Sequence, residues 1–416
     1  MPILLLPVAL LCSCWGGGSD DLLALPVEVD GTRHVLTLGS GDSGDSVLSA
    51  VERFALGPGR GLSPANLLEI RAAAHRQIAE RLPIGDRADR PPANAAADAS
   101  DPTILQAWAG DTVVSMPPDV PDRLHALLLH SAGAWNPPRN SDTPTIPKTI
   151  HHIWWQGREH MLSRALQGEQ SRARSSTDWR AQFLPRWVDS WKSHHAEPEW
   201  THRFWNESAI LDLARREFGG IFFPLLLSFT ERIKKIDTAR YLILLKHGGT
   251  VVDVDFECFR CIAPLFDGSQ TVLLSEEAAS GSINCAFMSS RSNHPLWWAV
   301  LHEIMWRHRS ATNRGVMHQT GPEMLTEAVR WWRGLQGSDA ARDVKVLNHA
   351  RGETRLLYPF SDDHISSPDG NGAHYRETMS SQCSEKNDCA SKYPESFAMH
   401  HFAASWYDEY AEQLNL

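Results

Sequence analysis

Apolar residues from position 146 onward follow two patterns in turn, short continuous runs and stretches at helical spacing. Short runs are typical of buried strands, whereas a repeat of about 3.6 residues indicates a helix with one apolar face. The pattern predicts strands at 149–155, 200–205, 250–256 and 271–275 and helices at 179–197, 209–218 and 231–247. Strands that alternate with helices favour an α/β domain with a mostly parallel sheet, whose ligands lie beyond the carboxyl ends of the strands.

The chain before position 146 has a different organisation, which predicts three further segments. An apolar run followed by three glycines predicts a signal peptide at 1–19, the alternative being a short buried segment or a misassigned start. Apolar alternation around an Asp-Gly turn, followed by two helical patterns, predicts a small ββαα module at 26–83. Proline, alanine and aspartate dominate 84–145, which predicts a linker or stem, and the α/β domain occupies 146–416.

Composition argues against one class of partner and indicates which part of the chain holds the functional site. Forty Lys and Arg against fifty Asp and Glu give a formal charge of −10, which argues against a nucleic-acid partner because such binding needs a basic face. Of sixteen tryptophans, thirteen lie between Trp154 and Trp406, so the α/β domain is the place to look for a functional site.

Two carboxylates lie at the end of the apolar strand predicted at 250–256. Asp253 and Asp255 follow a helix that Gly248 and Gly249 bring to an end. At the two-residue period of a strand both side chains point to the same side. Two buried like charges repel, so the pair persists most easily around a divalent cation, and carboxylate oxygens suit Mg2+ or Mn2+. The alternative is a solvated strand end.

A second charged pair lies upstream, in the helix predicted at 231–247. Asp237 and Arg240 are three residues apart on one helical face and can form an ion pair. Residues 242–245 are continuously apolar, which indicates a deeply packed helix. The pair is therefore predicted to clamp a hydroxylated ligand, with a surface ion pair as the alternative.

The cysteines suggest one disulfide. Cys383 and Cys389 are close together in a polar segment, and a disulfide between them is expected in an oxidising compartment. Cys258 and Cys261 have the spacing of a zinc motif, but no second such pair accompanies them. A disulfide or two buried thiols is therefore expected there instead of a structural zinc.

Six motifs, in order along the chain, resemble those of glycosyltransferase family 32, whose sugar-binding region contains the DXD motif. They are Ile146-Pro-Lys-Thr-Ile-His-His-Ile-Trp154, Asp237-x-x-Arg240-Tyr241, His247-Gly-Gly-Thr-Val-Val-Asp-Val-Asp255, Asn284-Cys-Ala-Phe-Met288 with His294-Pro-Leu-Trp297, Thr320-Gly-Pro322 and His400-His-Phe-Ala-Ala-Ser-Trp406. The family includes fungal α-1,6-mannosyltransferases and inositol phosphorylceramide mannosyltransferases. The resemblance implies a GT-A type fold that binds a nucleotide sugar. Ile236 and Val251 depart from the family's usual Ser and Tyr, and residues 1–145 have no counterpart.

The resemblance also implies roles for residues around a metal ion and a nucleotide. Asp253 would contact the ribose and the metal, and Asp255 would ligate the metal directly. His401 or His400 would complete the metal or phosphate shell; the sequence does not separate the two, and a satisfied loop pair is the alternative. Trp154 would lie against the nucleotide base, with a core tryptophan as the alternative.

Other residues are implied to contact the donor beyond its base. Asp237 and Arg240 would hold hydroxyls of the donor sugar, and Asn284 would face that sugar. Ser405 and Trp406 would close over the diphosphate. Because no protein nucleophile stands out, the expected mechanism is front-face transfer, in which the leaving phosphate helps to deprotonate the acceptor.

The function implied is that of a retaining glycosyltransferase that uses Mn2+ or Mg2+. It would move a hexose from a nucleotide sugar, with GDP-mannose favoured over UDP-galactose and UDP-glucose, to a glycan or glycolipid. The expected location is the lumen of the Golgi or endoplasmic reticulum, with membrane association only through the leader or stem. One alternative is a carbohydrate-binding or scaffold protein of the same fold, and another is a metal-dependent phosphohydrolase built on the aspartate pair.

Overall fold

The computed structural model describes residues 23–29, 32–38, 146–170, 181–218, 222–266, 270–277, 280–309, 315–336, 343–360, 383–384 and 386–403. The first two ranges form an antiparallel hairpin of β1 (Leu23–Val29) and β2 (Thr32–Leu38). Val29 lies opposite Thr32, which is the register of the two-residue turn that the sequence predicts. The predicted signal peptide, the two helices of the ββαα module and the linker at 84–145 lie outside the described residues.

Seven strands form the central sheet of the α/β domain. They are β3 (Thr149–Ile153), β4 (Thr201–Trp205), β5 (Gly249–Val252), β7 (Val272–Glu277), β8 (Ser282–Ile283), β9 (Phe287–Ser290) and β10 (Val344–Leu347). Their order is β10-β7-β9-β5-β3-β4, with β8 paired to β7. β3 runs parallel to β4 and β5, and β7 to β10, while β9 runs antiparallel between β5 and β7. The predicted α/β architecture with a mostly parallel sheet is confirmed.

Nine α-helices lie within the described ranges. They are α1 (Arg158–Gln170), α2 (Leu184–His194), α3 (Glu207–Glu217), α4 (Phe222–Ser228), α5 (Arg232–His247), α6 (Pro295–Arg309), α7 (Val316–Gln319), α8 (Pro322–Gln336) and α9 (Cys389–Lys392). The helix predicted at 209–218 begins earlier because Asn206 Oδ1 accepts the Ala209 N–H at 3.0 Å and caps α3. Among the described helices, none has the length and apolar character needed to cross a bilayer.

The helix α5 is the buried centre of the domain. Ala239 and every residue from 241 to 245 have no exposed surface, which confirms that this helix is deeply packed. It ends at Gly248, whose φ of 64° lies in the left-handed region. A Cβ at Gly248 would lie 2.7 Å from the Ser290 carbonyl oxygen, so only glycine fits where α5 passes into β5.

A buried histidine joins the ends of several elements. His151 on β3 donates from Nε2 to the Gly248 carbonyl at 2.9 Å and accepts from Trp205 Nε1 at 3.1 Å. An indole only donates and a carbonyl only accepts, so these partners require the neutral tautomer with its proton on Nε2. Burial is the main cause that lowers the pKa of His151 to about 3. The residue is therefore a neutral link between β3, β4 and the α5–β5 junction.

The strand predicted at 250–256 is wrong at its carboxyl end. β5 ends at Val252, and the Phe256 N–H donates to the Asp253 carbonyl at 3.1 Å, which closes a turn. The chain continues as β6 (Phe256–Cys258), which pairs antiparallel with β11 (Ala398–His400) outside the central sheet. The turn places the two partly exposed carboxylates beyond the end of β5. They converge through this turn and not through strand alternation.

Candidate active site

Three side chains that can ligate a metal meet beyond the carboxyl end of β5. Asp253 and Asp255 come from the turn after β5, and His400 comes from the end of β11. One ligand atom from each lies within 4.8 Å of the other two. Pairing of β11 with β6 places His400 opposite Phe256, which is why a residue so distant in sequence reaches the aspartates.

Asp255 is held by the C-terminal strand through three hydrogen bonds. His400 Nε2 lies 3.1 Å from Asp255 Oδ1, the Ala403 N–H donates to Oδ2 at 2.9 Å, and the His401 N–H donates to its carbonyl at 2.9 Å. Burial alone would raise the pKa of this carboxyl. His400 and the Ala403 N–H outweigh burial and lower the pKa of Asp255 to about 2. Asp255 is therefore an anion with a fixed orientation.

Asp253 is bound by a buried guanidinium. Arg240 Nη2 lies 2.8 Å from Asp253 Oδ1 and 2.9 Å from Oδ2. Burial raises the pKa of Asp253 to about 6, although the Arg240 charge opposes the rise. The Asp253 side chain remains 25% exposed, whereas that of Arg240 is 6% exposed. The carboxylate thus faces solvent on one side and the protein cation on the other.

Arg240 also pairs with Asp237 on the preceding turn of α5. Its Nη1 donates to Asp237 Oδ1, while the Thr320 hydroxyl donates to Asp237 Oδ2 at 2.9 Å. Tyr241 in turn donates its hydroxyl proton to the Thr320 carbonyl at 2.8 Å. Asp237 and Arg240 are both buried, so the surface-pair alternative is wrong. Burial raises the pKa of Asp237, against the opposing charge of Arg240.

Asn284 lies at the other end of the site, between β8 and β9. Its Nδ2 donates to Glu277 Oε2 at 3.2 Å, and its Oδ1 accepts the Ala286 N–H at 2.9 Å. Both Asn284 and Glu277 are buried. The Ala286 carbonyl accepts from the Asp253 N–H at 2.9 Å. Ala286 therefore connects the Asn284 side chain to the turn that carries the aspartates.

His401 lies on the opposite side of the strand from His400. Its Nε2 lies 2.9 Å from Glu257 Oε2 and its Nδ1 lies 2.8 Å from the Ser384 hydroxyl. The structure therefore places His400 beside the aspartates and His401 beside Glu257. His401 also lies close to Glu257 and Cys389, but the Cys389 sulfur is bonded to Cys383, so among the described residues the group that contains His400 is the one with three ligands available.

The disulfide predicted between Cys383 and Cys389 is confirmed. Cys258 and Cys261 are free thiols, the first of them buried, so a disulfide between those two is not formed. The disulfide therefore cross-links the segment next to Ser384, and Cys258 and Cys261 are not cross-linked to each other.

Trp154 lies just beyond β3 in a hydrophobic cluster with Val254 and Met161. Its indole N–H donates to His160 Nδ1 at 3.2 Å, and its side chain is buried. This packing agrees with the core alternative, and a contact with a nucleotide base stays a prediction. The predicted diphosphate residues Ser405 and Trp406 lie outside the described residues.

The donor set at the cluster fits a divalent transition metal. Carboxylate oxygens suit Mg2+ and Mn2+ alike, and an imidazole nitrogen favours the transition metal of the two. His400 Nδ1 and the Tyr358 hydroxyl are buried and have no hydrogen-bond partner within the described part of the chain. The rings of Tyr358 and His400 are 6.0 Å apart. Two buried polar atoms next to the acidic cluster could therefore form hydrogen bonds with a ligand.

Sequence reasoning missed four residues that shape the site. Glu257 continues the Asp253–Asp255 alternation by two residues, a signal that could have been noticed. Thr320 lies in the Thr320-Gly-Pro322 motif, for which the sequence predicts no role. Glu277 and Tyr358 carry no local signal, because only the folded chain brings them to Asn284 and His400.

The fold is an α/β domain with an acidic cluster at the end of a central strand and a buried Asp–Arg pair behind it. Residues 184–272 match the family described as glycosyltransferase sugar-binding region containing DXD motif. That range includes both aspartates of the turn and the Asp237–Arg240 pair. This part of the chain is similar to the sugar-binding region of that glycosyltransferase family.

Characterised relatives carry transferase names. Inositol phosphoceramide mannosyltransferase 1 of Schizosaccharomyces pombe is 27% identical over 155 residues, 36% of this chain and 48% of that protein. Inositol phosphoceramide mannosyltransferase 3 of the same yeast is 27% identical over 180 residues, 41% of this chain and 48% of that protein. Human alpha-1,4-N-acetylglucosaminyltransferase is 26% identical over 125 residues, 30% and 34% of the two chains. The chain thus spans about half the length of the two mannosyltransferases.

A solved structure, the PaToxG glycosyltransferase, is 14% identical, with a TM-score of 0.30, and the superposition covers 67% of this chain and 94% of that one. A TM-score this low does not support an assignment of the fold. The fold assignment rests on the strand order and on the family match.

Proposed function

We propose that this chain transfers a hexose from a nucleotide sugar to a glycan or glycolipid, using a divalent cation held by Asp253, Asp255 and His400. The observation that carries the proposal is the meeting of these three ligand groups within 4.8 Å at the carboxyl end of β5. Ligands of α/β sheets bind at this end. Mannose from GDP-mannose is the favoured donor because two relatives are named mannosyltransferases. UDP-galactose and UDP-glucose remain the other candidates.

Mn2+, or Mg2+, is the cation that this donor set would hold. When bound, it acts as a Lewis acid that neutralises negative charge on the diphosphate. The protein fixes its ligands beforehand: the Ala403 N–H orients Asp255, and Arg240 orients Asp253. Such preorganisation supports tight binding because little freedom is lost when the ion enters.

The Asp237–Arg240 pair would serve the sugar and the leaving group. Arg240 is buried, so its charge acts through a poorly screened environment on any negative charge that develops next to Asp253. Asp237, Asn284 and Glu277 add a carboxylate, an amide and a second carboxylate around the same space. Groups of this kind hold sugar hydroxyls and fix the orientation of the donor.

Transfer would proceed with retention on one face of the sugar. The bond between the anomeric carbon and the phosphate oxygen breaks, and the acceptor oxygen bonds to the same carbon from the same side. The acceptor proton passes to the leaving phosphate oxygen. This route requires no protein nucleophile, in keeping with a site whose two aspartates are occupied by Arg240 and His400.

The secretory pathway is the proposed location. The disulfide between Cys383 and Cys389 is buried and forms readily in the oxidising lumen of that pathway. A glycolipid acceptor is favoured because two relatives are named for inositol phosphoceramide.

A donor screen tests the proposal. The full chain is incubated with Mn2+ and, separately, GDP-mannose, UDP-galactose, UDP-glucose and UDP-N-acetylglucosamine, and released nucleotide is measured. The proposal expects release from GDP-mannose above the level of an Asp255→Asn control. Release from another donor alone would correct the sugar, whereas release from none would favour a carbohydrate-binding protein of the same fold.

A further inference from the structure

His401, the histidine that does not face the aspartates, belongs to a closed ring of contacts behind the acidic cluster. Its Nε2 lies 2.9 Å from Glu257 Oε2, and its Nδ1 lies 2.8 Å from the Ser384 hydroxyl. Arg186 closes the ring: its Nη2 donates to the Ser384 carbonyl at 2.9 Å, and its Nε lies 4.0 Å from Glu257. The imidazole also stacks on Trp187 with a centroid separation of 3.9 Å.

The partners of the His401 imidazole indicate which of its nitrogens carries a proton. A carboxylate only accepts, so Nε2 of His401 carries a proton that it donates to Glu257. In the neutral imidazole the other nitrogen, Nδ1, is bare and accepts from the Ser384 hydroxyl. His401 has no exposed surface, so both of its ring nitrogens are satisfied inside the protein and neither is open to a metal.

The ring is connected to the metal cluster through the backbone. The His401 N–H donates to the Asp255 carbonyl at 2.9 Å, and successive residues of an extended strand point to opposite sides. Holding the His401 side chain on one side therefore sets the position of His400 on the other. β11 is three residues long and, among the described strands, pairs with β6 alone. A pairing this short is marginal without side-chain anchors.

The anchor for Ser384 is the disulfide beside it. Cys383 is bonded to Cys389, and the Asp388 N–H donates to the Cys383 carbonyl at 3.2 Å. The Asn387 N–H donates to the Ser384 carbonyl at 3.3 Å. Ser384 is thus fixed by a covalent closure and by backbone hydrogen bonds before it meets His401.

We propose that His401 is a positioning residue, and that the ring of Arg186, Glu257, His401 and Ser384 holds His400 at ligand distance from Asp255. The proposal rests on the proposed function in one respect, that His400 ligates the cation. It assigns the second histidine, Ser384 and the disulfide to the geometry of the metal site, although none of them touches the metal. Loss of the ring lowers metal affinity and leaves the chemistry of the filled site intact.

The test measures Mn2+ binding to the full chain by the loss of the free-ion paramagnetic resonance signal. Ser384→Ala removes the hydroxyl that orients His401 and leaves the Asp255 and His400 side chains themselves unsubstituted. The expected result is an Mn2+ Kd about tenfold weaker, the lower end of what losing an outer partner of a metal ligand costs. At saturating Mn2+, nucleotide release returns to the wild-type rate, which a general loss of folded protein would not allow.

Two further variants sharpen the test. Cys383→Ala combined with Cys389→Ala frees the Ser384 segment and is expected to weaken Mn2+ binding in the same way. Ser228→Ala is the matched control, because Ser228 is buried and its hydroxyl donates to the Leu225 carbonyl at 2.7 Å on α4. It should keep the wild-type Kd. An unchanged Kd in Ser384→Ala, with wild type binding Mn2+, overturns this proposal alone. A wild type that binds no Mn2+ overturns the metal site and this proposal together.

Discussion

Arg240 Nη2 contacts both carboxylate oxygens of Asp253, at 2.8 Å and 2.9 Å, from the buried middle of α5. The Nη1 of the same guanidinium binds Asp237. One buried cation therefore compensates two carboxylates and connects the centre of α5 to the turn at the end of β5. The planar fork of arginine makes this possible, since a single ammonium cannot reach both acids in the same way.

Arg240→Lys is expected to weaken both the fold and the site. Losing a charged hydrogen bond to a buried carboxylate costs about 1–3 kcal/mol, so the free energy of unfolding in urea should fall by that amount. The ammonium is shorter in reach than the guanidinium, so it opposes the burial-raised pKa of Asp253 less, and Mn2+ affinity at neutral pH should fall.

Arg307→Lys is the control for this change. Arg307 is equally buried and bonds Glu303 at 2.8 Å and Glu327 at 2.6 Å, away from the acidic cluster. It should lose similar stability and keep its Mn2+ affinity. Equal Mn2+ affinities in the two lysine variants would contradict the role given to Arg240.

Asp255→Asn is expected to keep the fold and lose the activity. An asparagine oxygen still accepts from the Ala403 N–H, but the side chain brings no charge to the cation. Lewis-acid stabilisation is worth several kcal/mol, so nucleotide release should fall about a thousandfold. The exposed Asp212, which pairs with Arg216 on α3, gives the control Asp212→Asn. Wild-type rates in Asp255→Asn would remove this residue from the site.

The buried His151 predicts how stability depends on pH. Its pKa is lowered to about 3 when folded and is near 6.5 when unfolded, so below pH 6.5 the unfolded chain binds the extra proton. Stability is therefore lost as pH falls from 6.5 toward 3, by about 1.4 kcal/mol per unit for this group.

Urea denaturation at pH 7 and pH 5 measures the effect. His151→Gln removes the titration, so the stability difference from wild type should shrink by about 2 kcal/mol between these pH values. The exposed His194→Gln is the control for replacing a histidine at another position. A His151→Gln difference that stays constant between the two pH values would mean that His151 is not held neutral.

The sequence was informative where the chemistry is local. Helix α5 and its glycine end occupy one continuous segment, so periodicity and spacing place them correctly. Spacing also brings the two aspartates together, although a turn and not the predicted strand does so. Burial of Asp237 and Arg240 followed from the apolar residues beside them. The mostly parallel sheet followed from strands that alternate with helices.

The rest depends on contacts between distant parts of the chain. The local sequence at Asp253–Phe256 does not distinguish a turn from a continued strand. The contacts that favour the turn come from His400 and Ala403, almost 150 residues later in the chain. The choice between His400 and His401 requires the register of β11 on β6. Tyr358 reaches His400 only through tertiary packing. No local pattern records any of these.

The central claim is that Asp253, Asp255 and His400 hold a divalent cation that the transfer reaction requires. Nucleotide release from the active donor should stop when the full chain is placed in EDTA and return when excess Mn2+ is added, with the fold unchanged by circular dichroism throughout. The Asp255→Asn variant should show no such recovery. Full activity of the wild-type chain in EDTA would contradict the claim.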